Sequence, residues 1–346
     1  MLPAGELDSI GDVPGVTVGH FTLAQGARQT GVTVVRPHEG DPFRNKVPAA
    51  ATVLNGFGKS CGLIQVEELG VLETPIALTN TFAVGAVANA QIRQAIAANP
   101  EIGRAWPTVN PLVFECNDGY LNDIQAQAVA EAHYEQAWRG AASVFEQGSV
   151  GAGRGMSSFG FKGGIGSASR LAEAYPGQRY TVGALVLSNF GQRSSMTIAG
   201  RPFGRRLAAA ARDGEPAGQP EKGSIILLLA TDAPLDSRQL RRLSLRAGAG
   251  LARTGSVFGH GSGDIALAFS TAYTIPHLAE RGMPVQVMLH ETRIDALFEA
   301  AAEAVEQAIV AALWRAETVA GRDGHVRRAI REAAPQWRQW LAETAF

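Results

Sequence analysis

A serine directly after a glycine, at the seam between a polar loop and an apolar run, is the first place where this chain could do chemistry. Residues 212–223 read RDGEPAGQPEKG, and Ser224 leads without a spacer into the fully apolar stretch 225–230. Two readings fit the junction. In one, a small hydroxyl residue merely tolerates the turn where a loop enters a strand. In the other, Ser224 attacks the carbonyl of Gly223, because glycine adds no bulk and permits a strained backbone. Hydrolysis of the resulting ester would leave Ser224 as a new N-terminus. Its α-amine, with an unperturbed pKa of about 7.7–8.0, could then act as base for its own hydroxyl.

Three further positions could serve such a nucleophile. In Gly261-Ser262-Gly263-Asp264 the two polar residues are spaced i, i+2, so an extended backbone puts Ser262 and Asp264 on one face. The carboxylate would accept from Ser262, and Ser262 would orient a second hydroxyl or an amine. The alternative is a turn of the usual Gly, Ser and Asp composition. Asn189 stands where an apolar run meets Phe190-Gly191. Its amide could donate to a developing oxyanion, or it could close an Asx turn.

Other motifs fall short. Gly58-Lys59-Ser60 ends like a phosphate-binding loop, but the glycine required five residues earlier is Val53. Gly58-Lys59-Ser60-Cys61-Gly62 fits the G-x-S-x-G elbow, a pattern that arises by chance in a glycine-rich chain. Residues 151–155, GAGRG, lack the spacing of a dinucleotide fingerprint. His260 could join a serine triad with Asp264 or be a polar turn residue. The seven histidines form no compact ligand set, so no metal is expected. Cys61 and Cys116 read as small buried hydrophobes.

The elements that must position these residues come in mixed order. Residues 16–18, 31–35, 50–54 and 75–79 read as strands, and 84–98 as a helix closed by Asn99-Pro100. A second helix is expected over 123–145. The glycine-dense stretch 148–169 reads as tight turns facing a cavity. Strands follow at 180–187, 225–230 and 265–269, with residues 212–223 as an exposed loop. Asp236 is placed to cap a helix over 237–253, stopped by Gly255. A last helix starts at Thr292, with capping-box spacing to Asp295. Its stripe runs through Ile294, Leu297, Phe298, Ala301, Ala304, Val305, Ala308, Ile309 and Ala312. This order predicts a layered α+β fold with helices covering sheets.

Composition limits what such a fold could serve. The 346 residues carry 31 basic and 32 acidic side chains, a net charge of −1. That balance offers no footprint for nucleic acid or an anionic membrane. Mean hydropathy is zero and 46% of residues are hydrophobic, a globular composition. The start MLPAGELDSIGD has neither a basic nor an apolar leader segment. No uncharged run nears the roughly 18 residues of a membrane helix. With two cysteines ruling out a disulfide framework, a cytoplasmic protein is expected.

Taken in order, several segments resemble the self-processing P1 family of aminopeptidases, peptidase family S58. They are IGDVPGVTVGH near the start, QTGVTVV at 29–35, NDGYLND at 117–123, SVGAGRGM and FKGGIGSASR. YTVGALVLSNFGQR, KGSIILLLATDAPL and GSGDIALAFSTA continue the match along nearly the whole chain. The family includes L-aminopeptidase/D-amidase/esterases and β-aminopeptidases.

The resemblance implies a four-layer αββα sandwich, similar to N-terminal-nucleophile hydrolases but differently connected. It implies one domain over 1–346, cut between Gly223 and Ser224 into pieces 1–223 and 224–346 that stay together. The KGS segment places the nucleophile on Ser224, and LSNFG places the oxyanion donor on Asn189. SGD places the second serine on Ser262 and the acid on Asp264, where relatives carry Glu or Asp. FKGG places a site-proximal lysine at Lys162, and NDGYLND offers either Asn117 or Tyr120 to the pocket.

The implied activity is removal of N-terminal residues from short peptides, amides or esters, by a homotetramer of processed protomers and without a cofactor. Rival readings are an acyltransferase of the ornithine acetyltransferase type, an uncleaved binding protein, and a conventional Ser60 hydrolase.

Overall fold

The computed structural model describes residues 1–210 and 222–342. Two sheets carry the architecture. One holds β1 (Thr17–Gln25), β2 (Arg28–Arg36), β4 (Ile76–Asn80) and β5 (Leu112–Cys116), in that order. The other holds β3 (Asn45–Gly56), β9 (Gly261–Ser270), β8 (Lys222–Thr231), β7 (Gln178–Asn189) and β6 (Gly164–Tyr175), ordered β3-β9-β8-β7-β6. The two-residue strands Val71–Leu72 and Ile275–Pro276 extend it along β3. Strands β8 and β9 run parallel, while their outer neighbours run antiparallel to them.

The two-residue period of the strands sorts the core into layers. Ile76, Leu78, Leu112 and Phe114 meet Leu185, Leu187, Ile226, Leu228, Ile265 and Leu267 between the sheets. Val32, Val34, Ala77 and Val113 face the other way, against α1 (Val84–Ala98) and α2 (Glu131–Arg139). On the far side, Val186, Ile225, Leu227, Ala266 and Ala268 pack under α3 (Ser237–Arg253) and α4 (Asp295–Trp314). The result is helix, sheet, sheet, helix: the αββα sandwich. A one-residue slip of β8 would exchange both of its apolar faces, each fully buried Leu or Ile there being worth about 1.5–3 kcal/mol. Packing therefore pins the register that sets Ser224 among its neighbours.

Helix α3 follows the sequence closely. Asp236 accepts from the Gln239 N–H at 2.7 Å and the Gln239 side chain returns the bond at 3.2 Å, a capping box. Every residue of the expected α4 stripe is buried. Its start differs: His290 Nδ1 accepts from the Thr292 N–H at 3.3 Å, a 3₁₀ turn covers Glu291–Arg293, and the helix begins at Asp295.

Two expectations need correction. The helix expected over 123–145 shrinks to a turn at Ile124–Ala126 and α2. Gln127 sits at φ +44°, and beyond Gly140 the backbone of Ala142 pairs with Val18 of β1 instead of continuing a helix. The glycine-dense stretch 148–169 is not all turn, for β6 already starts at Gly164. Here the glycine serves helix-on-sheet packing: a Cβ on Gly166 would lie 1.9 Å from the Ala308 carbonyl of α4. Of the exposed loop expected over 212–223, residues 212–221 lie outside the described residues.

Candidate active site

Three chain segments far apart in sequence meet at one end of the second sheet. Ser224 lies opposite Asn189 across the antiparallel β7–β8 pair and beside Gly263 across the parallel β8–β9 pair. In the same register Gly223 lies beside Ser262, and Ile225 beside Asp264.

Gly223 occupies a backbone region that L-residues rarely enter, at φ +125°. A Cβ there would stand 2.0 Å from the Asn189 carbonyl oxygen, so only glycine fits. Ser224 is buried, and its Oγ accepts from the Gly263 N–H at 3.1 Å. Strand alternation puts its side chain with Ile226 and Leu228, on the face toward the first sheet. Ser262 and Asp264 share the opposite face with Ala266 and Ala268. They flank the Ser224 main chain from there. Both are fully buried, and Ser262 Oγ donates to Asp264 Oδ1 at 2.5 Å.

The Asn189 side chain is held at both ends. Its Oδ1 accepts from the Ser157 N–H at 2.8 Å, and its Nδ2 donates to the Asn117 carbonyl at 3.0 Å. An amide nitrogen carries two hydrogens, so one is left without a partner among the described residues. Of the two candidates in 117–123, Asn117 thus reaches the site through its main chain. Its side chain closes an Asx turn on the Gly119 N–H at 2.9 Å. Tyr120 instead stacks on His325 at 4.5 Å, beneath the Arg327 guanidinium at 3.7 Å. Lys162 is fully buried and donates to the carbonyls of Gly153 and Gly163 at 2.8 and 2.9 Å. Burial, and then the nearby Arg154 charge, push its amine well below the usual lysine range.

The end of β3, a failed phosphate-loop match, walls the site. Asn55 Nδ2 donates to the carbonyls of Gly259, at 2.8 Å, and of Ser262. A Cβ on Gly263 would lie 2.7 Å from the Phe57 carbonyl. Ser60 Oγ has no hydrogen-bond partner among the described residues, and His260 faces the Phe57 ring, so no triad forms around Ser60. Burial raises both cysteine thiols, Cys116 furthest, which keeps them from acting as thiolates. Among the described residues, no group of three or more His, Cys, Asp or Glu is placed to hold a metal ion.

Two carboxylates near the site escaped the sequence reading. Glu115, the one acid in the apolar strand LVFEC, is 3% exposed. It accepts from the Lys59 N–H at 2.7 Å and from the Thr81 hydroxyl. Asp118 follows three residues later, also buried. The available signal was an acid inside, or right after, a strand otherwise read as core.

Comparison with known proteins bears on this arrangement. The sequence profile of peptidase family S58 matches residues 8–327. The chain belongs to peptidase family S58. Within S58 it is similar to the β-peptidyl aminopeptidase BapA of Sphingosinicella microcystinivorans, 40% identical over 344 residues that span 93% of this chain and 85% of the relative. Among solved structures it resembles the PH0078 protein of Pyrococcus horikoshii OT3, with a TM-score of 0.91 and 48% identity over 99% of this chain and 95% of the other. The L-aminopeptidase D-Ala-esterase/amidase of Ochrobactrum anthropi superposes with a TM-score of 0.88 and 35% identity, covering 98% and 97%. That enzyme is described as a prototype for the serine aminopeptidases and a new variant among the Ntn hydrolase fold. The αββα sandwich of this S58 chain is that fold.

Proposed function

We propose that the chain is a self-processing serine aminopeptidase that removes N-terminal residues from short peptides, amides or esters. The observation that carries the reading is the meeting of Gly223-Ser224, Asn189 and Ser262–Asp264 on three neighbouring strands. Maturation begins with attack of Ser224 Oγ on the Gly223 carbonyl, at a backbone that only glycine adopts. Collapse of the adduct breaks the Gly223–Ser224 C–N bond, which frees the Ser224 amine and leaves an ester on Oγ. Water then hydrolyses that ester to the Gly223 carboxylate and the free hydroxyl, leaving pieces 1–223 and 224–346 in one folded unit.

In the processed protein the freed amine takes the Ser224 hydroxyl proton as Oγ attacks the scissile carbonyl. Ser262, braced by Asp264, orients that amine from the side of the main chain. The remaining Asn189 N–H and nearby backbone donors stabilise the tetrahedral oxyanion. The amine then passes its proton to the leaving group, and water releases the acyl residue. An aminopeptidase also needs an anion for the substrate's ammonium. Glu115 supplies one: its Oε1 lies 3.6 Å, and the Gly263 Cα 3.8 Å, from where a Cβ on Gly58 would stand.

The names of the relatives direct the substrate panel: β-amino-acyl amides beside L- and D-α-amino-acyl amides and esters. A homotetramer of processed protomers in the cytoplasm completes the proposal, and light scattering of the cut protein tests its assembly. The decisive experiment is N-terminal sequencing of purified active protein. A second N-terminus at Ser224 is expected. Full activity from chains still joined at that bond would overturn the proposal.

A further inference from the structure

We propose that Asp118 is a positioning residue: its buried carboxylate, acting through Asn122 and Gln29, locks together the two loops that hold the Asn189 amide from opposite sides. The inference rests on the reading of Asn189 as oxyanion donor. One loop, 151–158, supplies the Ser157 N–H to Asn189 Oδ1, and the other, 117–122, supplies the Asn117 carbonyl to Nδ2. If either loop shifts, the amide can turn and present the wrong atom to the substrate.

The loops touch at Asp118. A Cβ on Gly155 would lie 2.8 Å from Asp118 Cβ and 2.2 Å from the Gln29 carbonyl. Polar bonds cross the same seam: Arg154 Nε donates to Gln29 Oε1 at 2.7 Å, and the Gln29 N–H donates to Asn122 Oδ1 at 3.1 Å. Asn122 Nδ2 in turn donates to Asp118 Oδ1 at 3.0 Å, leaving Oδ2 without a hydrogen bond among the described residues. Lys162 ties the glycine loop through the Gly153 and Gly163 carbonyls.

Burial pushes the Asp118 carboxyl up to about 6, against the hydrogen bonds of Thr30 and Asn122 and the Lys162 charge. The other charged or titratable groups around it are Arg154 on the glycine loop, Glu115 and Cys116 on β5, and Asp123, Arg322 and His325. Arg322 and His325 bond the Gly119 and Tyr120 carbonyls of the same turn. Protonation of Asp118 makes it a poorer acceptor for Asn122 and loosens the seam. Turnover then falls while substrate binding persists.

The test is kcat and KM against pH for processed wild type, Asp118→Asn, Asn122→Ala and His325→Gln. Wild-type kcat should fall with one proton below about pH 8, that of the Ser224 amine, and steepen to two protons below pH ~6 as Asp118 takes the second. Asp118→Asn should lose about tenfold in kcat with KM within about twofold, and should fall with one proton only. Asn122→Ala, which keeps the carboxylate but removes a bond to it, should move the steep limb to higher pH and reports even if Asp118→Asn does not fold. His325→Gln should keep the steepness.

Stability separates positioning from a merely structural role. The folded Asp118 pKa lies above its unfolded value, so the native state binds the proton more tightly, and stability declines as pH rises from about 4 to about 6. In the inactive Ser224→Ala background, Asp118→Asn should abolish that decline and be at least as stable at pH 7. Unchanged kcat and steepness in Asp118→Asn, an Asn122→Ala limb that stays put, or a His325→Gln profile reduced to one proton would overturn the proposal. If instead Ser224→Ala retains activity, it is the nucleophile assignment that fails.

Discussion

The carbonyl oxygen of Asn189 stands 2.0 Å from where a Cβ of Gly223 would be, while the Asn189 side chain is held between the Ser157 N–H and the Asn117 carbonyl. One residue thus enforces glycine before Ser224 and, in the proposed mechanism, also offers the oxyanion donor. A Gly223→Ala chain must move Asn189 or distort its own backbone, a strain of about 1–3 kcal/mol. Such protein should appear as a single band in denaturing electrophoresis, or be cut at least tenfold more slowly than wild type.

Wild-type protein of 36.4 kDa should separate, in proportion to residues 1–223 and 224–346, into fragments of roughly 23 and 13 kDa. Ser224→Ala should remain whole and hydrolyse no amino-acyl p-nitroanilide. Turnover by that variant above a blank would remove Ser224 from the mechanism.

Asn189→Ala removes one oxyanion donor and should lower kcat by about 10²–10³-fold, with KM changing far less. Steady-state kinetics on processed protein check this. A loss confined to KM would mean that the amide binds substrate rather than the transition state.

Asp264→Asn leaves the shape of the Ser262 contact but takes away its charge. Because Ser262 donates to Asp264 at 2.5 Å, the serine should lose its fixed orientation and kcat should fall by about 10²-fold. Ser262→Ala should cost a similar factor, and the double variant no more than either alone. Additive losses in that cycle would show that the two residues act separately.

Burial lowers the His20 imidazole to about 4, and its bonds with Thr33 Oγ1 at 2.9 Å and the Glu146 carbonyl at 3.0 Å suit the neutral ring. The folded pKa lies below the unfolded value near 6.5, so the unfolded chain binds the proton more readily. This contribution to stability is complete above about pH 6.5 and is lost as pH falls toward about 4. Urea titrations across that window should show the loss in wild type and a flatter profile in His20→Gln. An equal acid slope in both proteins would exclude His20 as its source.

Much of the fold was legible because its signals are local. Asp236 caps a helix within four residues, α1 runs over Val84–Ala98 as its composition suggests, and the α4 stripe repeats a helical period. The reading failed where long-range partners decide. Small apolar residues beyond Gly140 look helical until β1 offers Ala142 a strand neighbour. The glycines from Gly164 onward look like turns until the backbone of α4 is laid against them.

What the sequence by itself determined is the inventory: a serine behind a glycine, an acid two residues past a second serine, an asparagine ending a strand, and the layered α+β class. Those follow from composition and short spacing, which no folding is needed to read. Only the tertiary structure decided that Ser224 meets Gly263 while Ser262 and Asp264 take the opposite face, and that Asn117 contributes a carbonyl rather than a side chain. Strand order and register set those relations. They are fixed by burial between the sheets and under the helices, where residues more than thirty positions apart first become neighbours.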